Sequence, residues 1–70
     1  MSDVLTVLVN GERREIPCGA NVSVMLEHLG IAPGRVAIER NFDILPRSQW
    51  DATQVAAGDR YEIVHLVGGG

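Results

Sequence analysis

The side chains that usually carry catalysis are sparse in this chain: two histidines, His28 and His65, and one cysteine, Cys18. No Cys or His pair has the spacing of a metal site. His28 falls on the polar side of a predicted helix near its C-terminus, where an imidazole suits the helix dipole. His65 alternates with Val64 and Leu66 in an apolar run near the end of the chain, and either touches a partner or faces solvent. Cys18 has no cation predicted beside it to lower its pKa, so it is expected to be a small residue filling a loop-to-helix corner. Glu12/Glu15 and Glu39/Asp43 read as solvated faces rather than acid/base couples. Nothing in this inventory builds the pocket of an enzyme.

The C-terminus offers a different chemistry. Gly68-Gly69-Gly70 follow the apolar run and bring the chain to a bare carboxylate. Without side chains the glycines can thread a narrow tunnel in another protein. Extended, they reach roughly 10 Å at about 3.3–3.6 Å per residue. The carboxylate, with a pKa near 3.5, is ionised at neutral pH and a poor electrophile. Joined to AMP it gains a good leaving group, and a sulfur nucleophile can then displace AMP to leave a thiocarboxylate. No residue of this chain need catalyse either step. The glycines alone leave a second reading open, that of a linker or a loose end.

Size and charge narrow the classes. Seventy residues make one small domain, near the lower limit for a core without metals or disulfides; the predicted layout is a folded domain over 1–67 and a glycine tail over 68–70. The 46% hydrophobic fraction is that of a globular protein. A single cysteine cannot form an internal disulfide, which fits a reducing cytoplasm. No apolar run is long enough to span a bilayer and no signal segment opens the chain, so a soluble, cytoplasmic protein with no membrane partner is expected. The formal charge is −3 and the basic residues form no stripe, which argues against nucleic acid. All of them are arginines. With no lysine there is no Schiff-base chemistry and no side-chain amine for the attachment of a second copy.

The elements that must position the tail can be read from pattern. Val4 to Val9 is almost continuously apolar and β-branched, as in a central strand. Asn10-Gly11 suits a two-residue hairpin turn into a charged second strand, about Glu12 to Ile16, which Pro17 ends and whose charges suit an edge. Asn21 is a candidate helix N-cap. Val22, Met25, Leu26 and Leu29 form one apolar helix face, and Gly30 fits the left-handed residue that ends it. Val36 to Glu39 predicts a third strand and Ile44-Leu45 a short fourth, stopped by Pro46. The segment Pro46 to Thr53 reads as an irregular crossing in which Ser48, Asp51 and Thr53 can bond nearby backbone amides. Gly58-Asp59 is a turn, and Arg60 to Val67 the last strand. Two very apolar terminal strands should be central neighbours. The fold class expected is α+β, a β-grasp (ubiquitin-like) fold with a mixed four- to five-stranded sheet and one helix across one face. If Tyr61 and Ile63 face that helix, Val64, Leu66 and Val67 supply an exposed docking patch beside the tail.

The chain resembles the ThiS-type sulfur carriers of thiamin biosynthesis over its whole length. The matching stretches are the opening strand with Asn10-Gly11, Val36-Ala37-Ile38-Glu39-Arg40-Asn41, Pro46-Arg47-Ser48-Gln49-Trp50, Gly58-Asp59, and Tyr61-Glu62-Ile63-Val64 leading to Val67-Gly68-Gly69-Gly70. The resemblance implies that Gly70 is adenylated by a ThiF-type, E1-like adenylyltransferase using ATP and Mg, this chain itself binding no cofactor. It implies that a cysteine desulfurase or other persulfide donor supplies the sulfur, and that a ThiG-type thiazole synthase receives it. Gly69 carries over as the second glycine of the diglycine end, and Gly68 lengthens the thread. Pro46, Arg47, Ser48 and Trp50 match the family but read mainly as structural: the proline ends a strand, Ser48 caps a turn, Trp50 covers one end of the core, and Arg47 is open to a contact role. A protein of this kind is a co-substrate of its partners rather than an enzyme, and a monomer when free. Competing readings are a MoaD-type carrier for molybdopterin synthesis, a protein-conjugating modifier, and a non-catalytic β-grasp binding module.

Overall fold

The computed structural model describes residues 3–67. Its elements are β1 (Val4–Val9), β2 (Glu12–Pro17), α1 (Val22–His28), β3 (Val36–Arg40), β4 (Asp43–Leu45), a 3₁₀ turn (Arg47–Gln49) and β5 (Arg60–His65). The strands form one sheet in the order β2-β1-β5-β3-β4. β1 and β5 are parallel neighbours, and the other pairs are antiparallel. The two apolar terminal strands therefore lie at the centre, and charged β2 lies at an edge, as their compositions require.

Both hairpins turn on an asparagine in the left-handed region. Asn10 (φ 51°) and Gly11 (φ 81°) join β1 to β2, and Asn41 (φ 51°) and Phe42 (φ 73°) join β3 to β4. Two successive positive φ values are the signature of a type I′ turn, whose twist matches that of the strands. The second turn uses phenylalanine where glycine is easiest. A side chain in that region costs on the order of 1 kcal/mol, and stacking of the Arg60 guanidinium 4.9 Å from the Phe42 ring centroid offsets part of it.

Helix α1 starts where the Asn21 side chain accepts from the Val24 amide at 2.8 Å. It ends in a Schellman motif: Ile31 N donates to the Leu26 carbonyl, Gly30 N to the Glu27 carbonyl, and Gly30 has φ 74°. Val22, Met25 and Leu26 are buried, and Leu29 and Ile31 pack at the margin. Against them lie Val7, Val9, Ile16, Val36, Ile38, Tyr61 and Ile63 from the inner face of the sheet, with Trp50 closing one end. Trp50 donates through Nε1 to the Leu45 carbonyl at 3.1 Å.

Four local expectations change. Ala20, not Cys18, fills the corner before the helix: Ala20 is buried and Cys18 exposed. Ser48 makes no cap bond, because Pro46 occupies the N-cap position of the 3₁₀ turn. Asp51 and Thr53 reach other groups than backbone amides: Asp51 takes the Ser23 hydroxyl and Thr53 donates to the Gln49 carbonyl. Finally, β5 ends at His65 rather than Val67, since β3 begins at Val36, opposite His65; a last bond, Leu66 N to the Arg35 carbonyl at 2.8 Å, closes the ladder.

Candidate functional site

The expected sulfur attachment point, Gly70, and the tail residues Gly68 and Gly69 lie outside the described residues. What the structure defines is the strand that leads to them and the surface around it. Tyr61 and Ile63 point into the core, so Val64 faces away from α1 and is 53% exposed. Leu66, of the same parity, and Val67 are also exposed. All three residues expected to form a docking patch are thus at the surface, and His65 is exposed as well.

The exposed apolar surface extends beyond Val64, Leu66 and Val67. Ile44 is 77% exposed and Phe42 74%. Ile44 lies opposite Glu39, which in turn lies opposite Glu62, while Ala37 lies opposite Val64. Alternation held the clue for Ile44. Leu45 turns toward the core, so its neighbour in a strand must turn out. Together Ala37, Glu39, Ile44, Glu62 and Val64 line a shallow depression of about 410 Å³ on the face opposite the helix. Monomeric proteins seldom leave apolar side chains grouped this way without a partner for them.

Arg47 is exposed and also makes contacts within the chain. Its guanidinium lies 4.4 Å from the Trp50 ring centroid and donates to the Gly34 carbonyl at 2.9 Å, tying the Pro46–Trp50 crossing to the loop before β3. Among the described residues no group of three or more His, Cys, Asp or Glu is placed to hold a metal ion. Nor is any helix there long and apolar enough to cross a membrane.

Two polar arrangements hold β5 in place, and neither has a local sequence signature. The first is built on Asn10. β1 ends at Val9, leaving Ile63 beyond its reach, and the Asn10 side chain completes the ladder: Nδ2 donates to the Ile63 carbonyl at 3.1 Å and Oδ1 accepts from the Ile63 amide at 2.8 Å. One side-chain amide stands in for a missing peptide. Asn10→Gly keeps the turn's backbone conformation but removes both bonds. The expected loss is about 1–3 kcal/mol, read as a lowered urea midpoint with faster hydrogen exchange at the Ile63 amide.

The second arrangement centres on Asp59, whose side chain is nearly buried beside Arg40. Its Oδ2 accepts from the Tyr61 hydroxyl at 2.7 Å, the Ala56 amide at 2.9 Å and Arg40 Nε at 3.1 Å, and its Oδ1 accepts from Asn41 Nδ2 at 3.1 Å. Asn41 also accepts from the Arg60 amide at 2.9 Å. Burial pushes the Asp59 carboxyl up, but the Ala56 amide, Tyr61, Asn41 and Arg40 together hold it below its ordinary value. Burial, and then the Asp59 charge, push the Tyr61 hydroxyl up to about 12.

Comparison with known proteins agrees with this architecture. The ThiS family model matches residues 7–70. A crystal structure of the thiamine biosynthesis protein ThiS from Geobacter metallireducens superimposes with a TM-score of 0.78 at 36% identity, covering 94% of this chain and all of that one. A thiazole synthase from Paramagnetospirillum magneticum is 38% identical over 66 residues, and one from Magnetococcus marinus 35%. In both, 94% of this chain matches only 20% of the relative's length. A protein of Porphyra purpurea known as ycf40 is 30% identical over 93% of its own length. With a match over nearly the whole chain and a five-stranded mixed sheet carrying one helix, the chain belongs to the ThiS family of small, ubiquitin-like β-grasp sulfur carriers.

Proposed function

We propose that this protein carries sulfur for thiazole formation in thiamin biosynthesis as a thiocarboxylate on Gly70. The observation that carries the reading is the family match running through residue 70. A ThiF-type adenylyltransferase, using ATP and Mg, joins the Gly70 carboxylate to AMP with release of pyrophosphate. Sulfur from a desulfurase-derived persulfide then attacks the acyl carbon and AMP leaves. Cleavage of the resulting S–S bond by a thiol frees the thiocarboxylate. The chain supplies the carboxyl group and the docking surface, and its partners supply the catalytic groups and the cofactors.

Two further points support the pathway and the partner. The family match favours thiamin over molybdopterin as the destination. The matched thiazole synthases contain a stretch resembling this chain within a polypeptide about five times as long. A carrier segment joined to its acceptor enzyme gains a high effective concentration, so a separate thiazole synthase is the natural recipient here. The exposed face bearing Val64, Leu66 and Val67, with Ile44, is the surface proposed to dock on the adenylyltransferase and then on the synthase.

The direct test is intact mass after incubation with a ThiF-type adenylyltransferase, ATP, Mg and a persulfide source. A gain equal to exchange of one oxygen for sulfur is expected. An unchanged mass, with the same enzyme shown active on another carrier, would overturn the proposal.

A further inference from the structure

Glu39 on β3 and Glu62 on β5 stand directly opposite each other on the face away from the helix. Residues opposed in this way have Cβ atoms about 4.5–5.5 Å apart, and like charges there repel. Elsewhere the chain manages its charges carefully: buried Asp59 is paired with Arg40, the one ion pair among the described residues. The nearest basic residue of the same strand and parity, Arg60, is stacked on Phe42. Among the described residues neither carboxylate has a basic side chain in an ion pair with it.

Their surroundings define what would complete them. Glu39 and Glu62 form one wall of the depression whose remaining outward side chains are Ala37, Ile44 and Val64. Ile44 continues the Glu39–Glu62 row, and Ala37 and Val64 form the next row toward the tail. A complementary group has a cationic head able to meet two carboxylates and an aliphatic stem to lie on isoleucine and valine. An arginine side chain has both: a planar fork of five donors that suits carboxylates, and a methylene stem that covers apolar surface. We infer that the partner docking on this face inserts an arginine between Glu39 and Glu62, with its stem along Ile44 and Val64. The arginine relieves the repulsion only in the complex, so the pair adds selectivity for a basic partner surface to an otherwise apolar contact.

This inference rests on the proposed docking face, and one experiment separates the two. Binding to a ThiF-type adenylyltransferase is titrated across a range of salt for the wild type, for Glu39→Gln/Glu62→Gln and for Val64→Asp. The glutamines keep the shape and remove both charges, so the double variant should fold at least as stably as the wild type. It should nevertheless bind roughly ten- to a hundredfold more weakly, with a shallower salt dependence. Wild-type affinity and salt dependence in the double variant, with binding lost in Val64→Asp, would overturn the arginine contact and leave the docking face standing. Unimpaired binding by Val64→Asp would remove the docking face and the arginine contact together.

Discussion

Replacing Asp59 with alanine is expected to remove a large share of the protein's stability. The carboxylate takes four hydrogen bonds, from Tyr61, Ala56, Arg40 and Asn41, at a side chain only 5% exposed. Removing one partner of a buried, hydrogen-bonded charge pair costs about 3–5 kcal/mol, because the groups left behind stay desolvated and unpaired. A domain of this size has roughly 4–10 kcal/mol in total. Urea denaturation of the variant should show a strongly lowered midpoint; a midpoint close to that of the wild type would mean that the cluster contributes nothing to stability.

The same cluster sets the pH limits. The carboxyl of Asp59 lies below its ordinary 3.8 in the folded state. Its contribution is therefore complete above that pH and is lost as pH falls through the folded value. Tyr61 behaves in the opposite sense. Its hydroxyl ionises near 10.0 when unfolded and near 12 when folded, so its contribution is intact below pH 10 and is lost between pH 10 and 12. Tyr61→Phe should flatten that alkaline limb of the stability profile while lowering the plateau.

Deleting Gly69 and Gly70 should abolish sulfur loading and leave the fold intact. The core side chains all lie between Val7 and Ile63, and glycine has no side chain to contribute. The unfolding free energy should therefore change by less than about 0.5 kcal/mol. The carboxylate, however, now belongs to Gly68 and falls about 7 Å short, at about 3.3–3.6 Å per residue, of where a partner would hold it. No gain in mass should appear under conditions that load the full chain. Loading of the shortened chain would move the attachment point away from Gly70. A matching loss of stability would instead show that the glycines hold the fold.

The elements were legible because each is specified locally. Asn10-Gly11 marks a hairpin, Val22, Met25, Leu26 and Leu29 mark a helix face, and apolar terminal strands mark the centre of a sheet. What escaped depends on residues far apart in the chain. The bonds from Asn10 to Ile63 and from Asn41 to Asp59 span 53 and 18 positions, and no periodicity announces them. The end of β5 is likewise set by where β3 begins. The docking surface was half visible: Val64 and Leu66 follow from alternation along β5, but Ile44 joins Val64 only because β4 pairs with β3 on the side away from β5. At the corner before the helix the sequence pointed to Cys18, whereas Ala20 is the residue buried there.

The Asn10 clamp also has a mechanical meaning. A carrier whose tail is threaded into a partner is pulled along the axis of β5 when that tail is withdrawn. β5 is flanked on one side by parallel β1 and on the other by antiparallel β3, with hydrogen bonds lying across the direction of pull. A force of that kind loads the bonds in shear, so they resist together, whereas a strand at the sheet's edge would peel one bond at a time. By extending the β1 side of the interface to Ile63, the hairpin asparagine adds two bonds to those sharing the load on that side of β5.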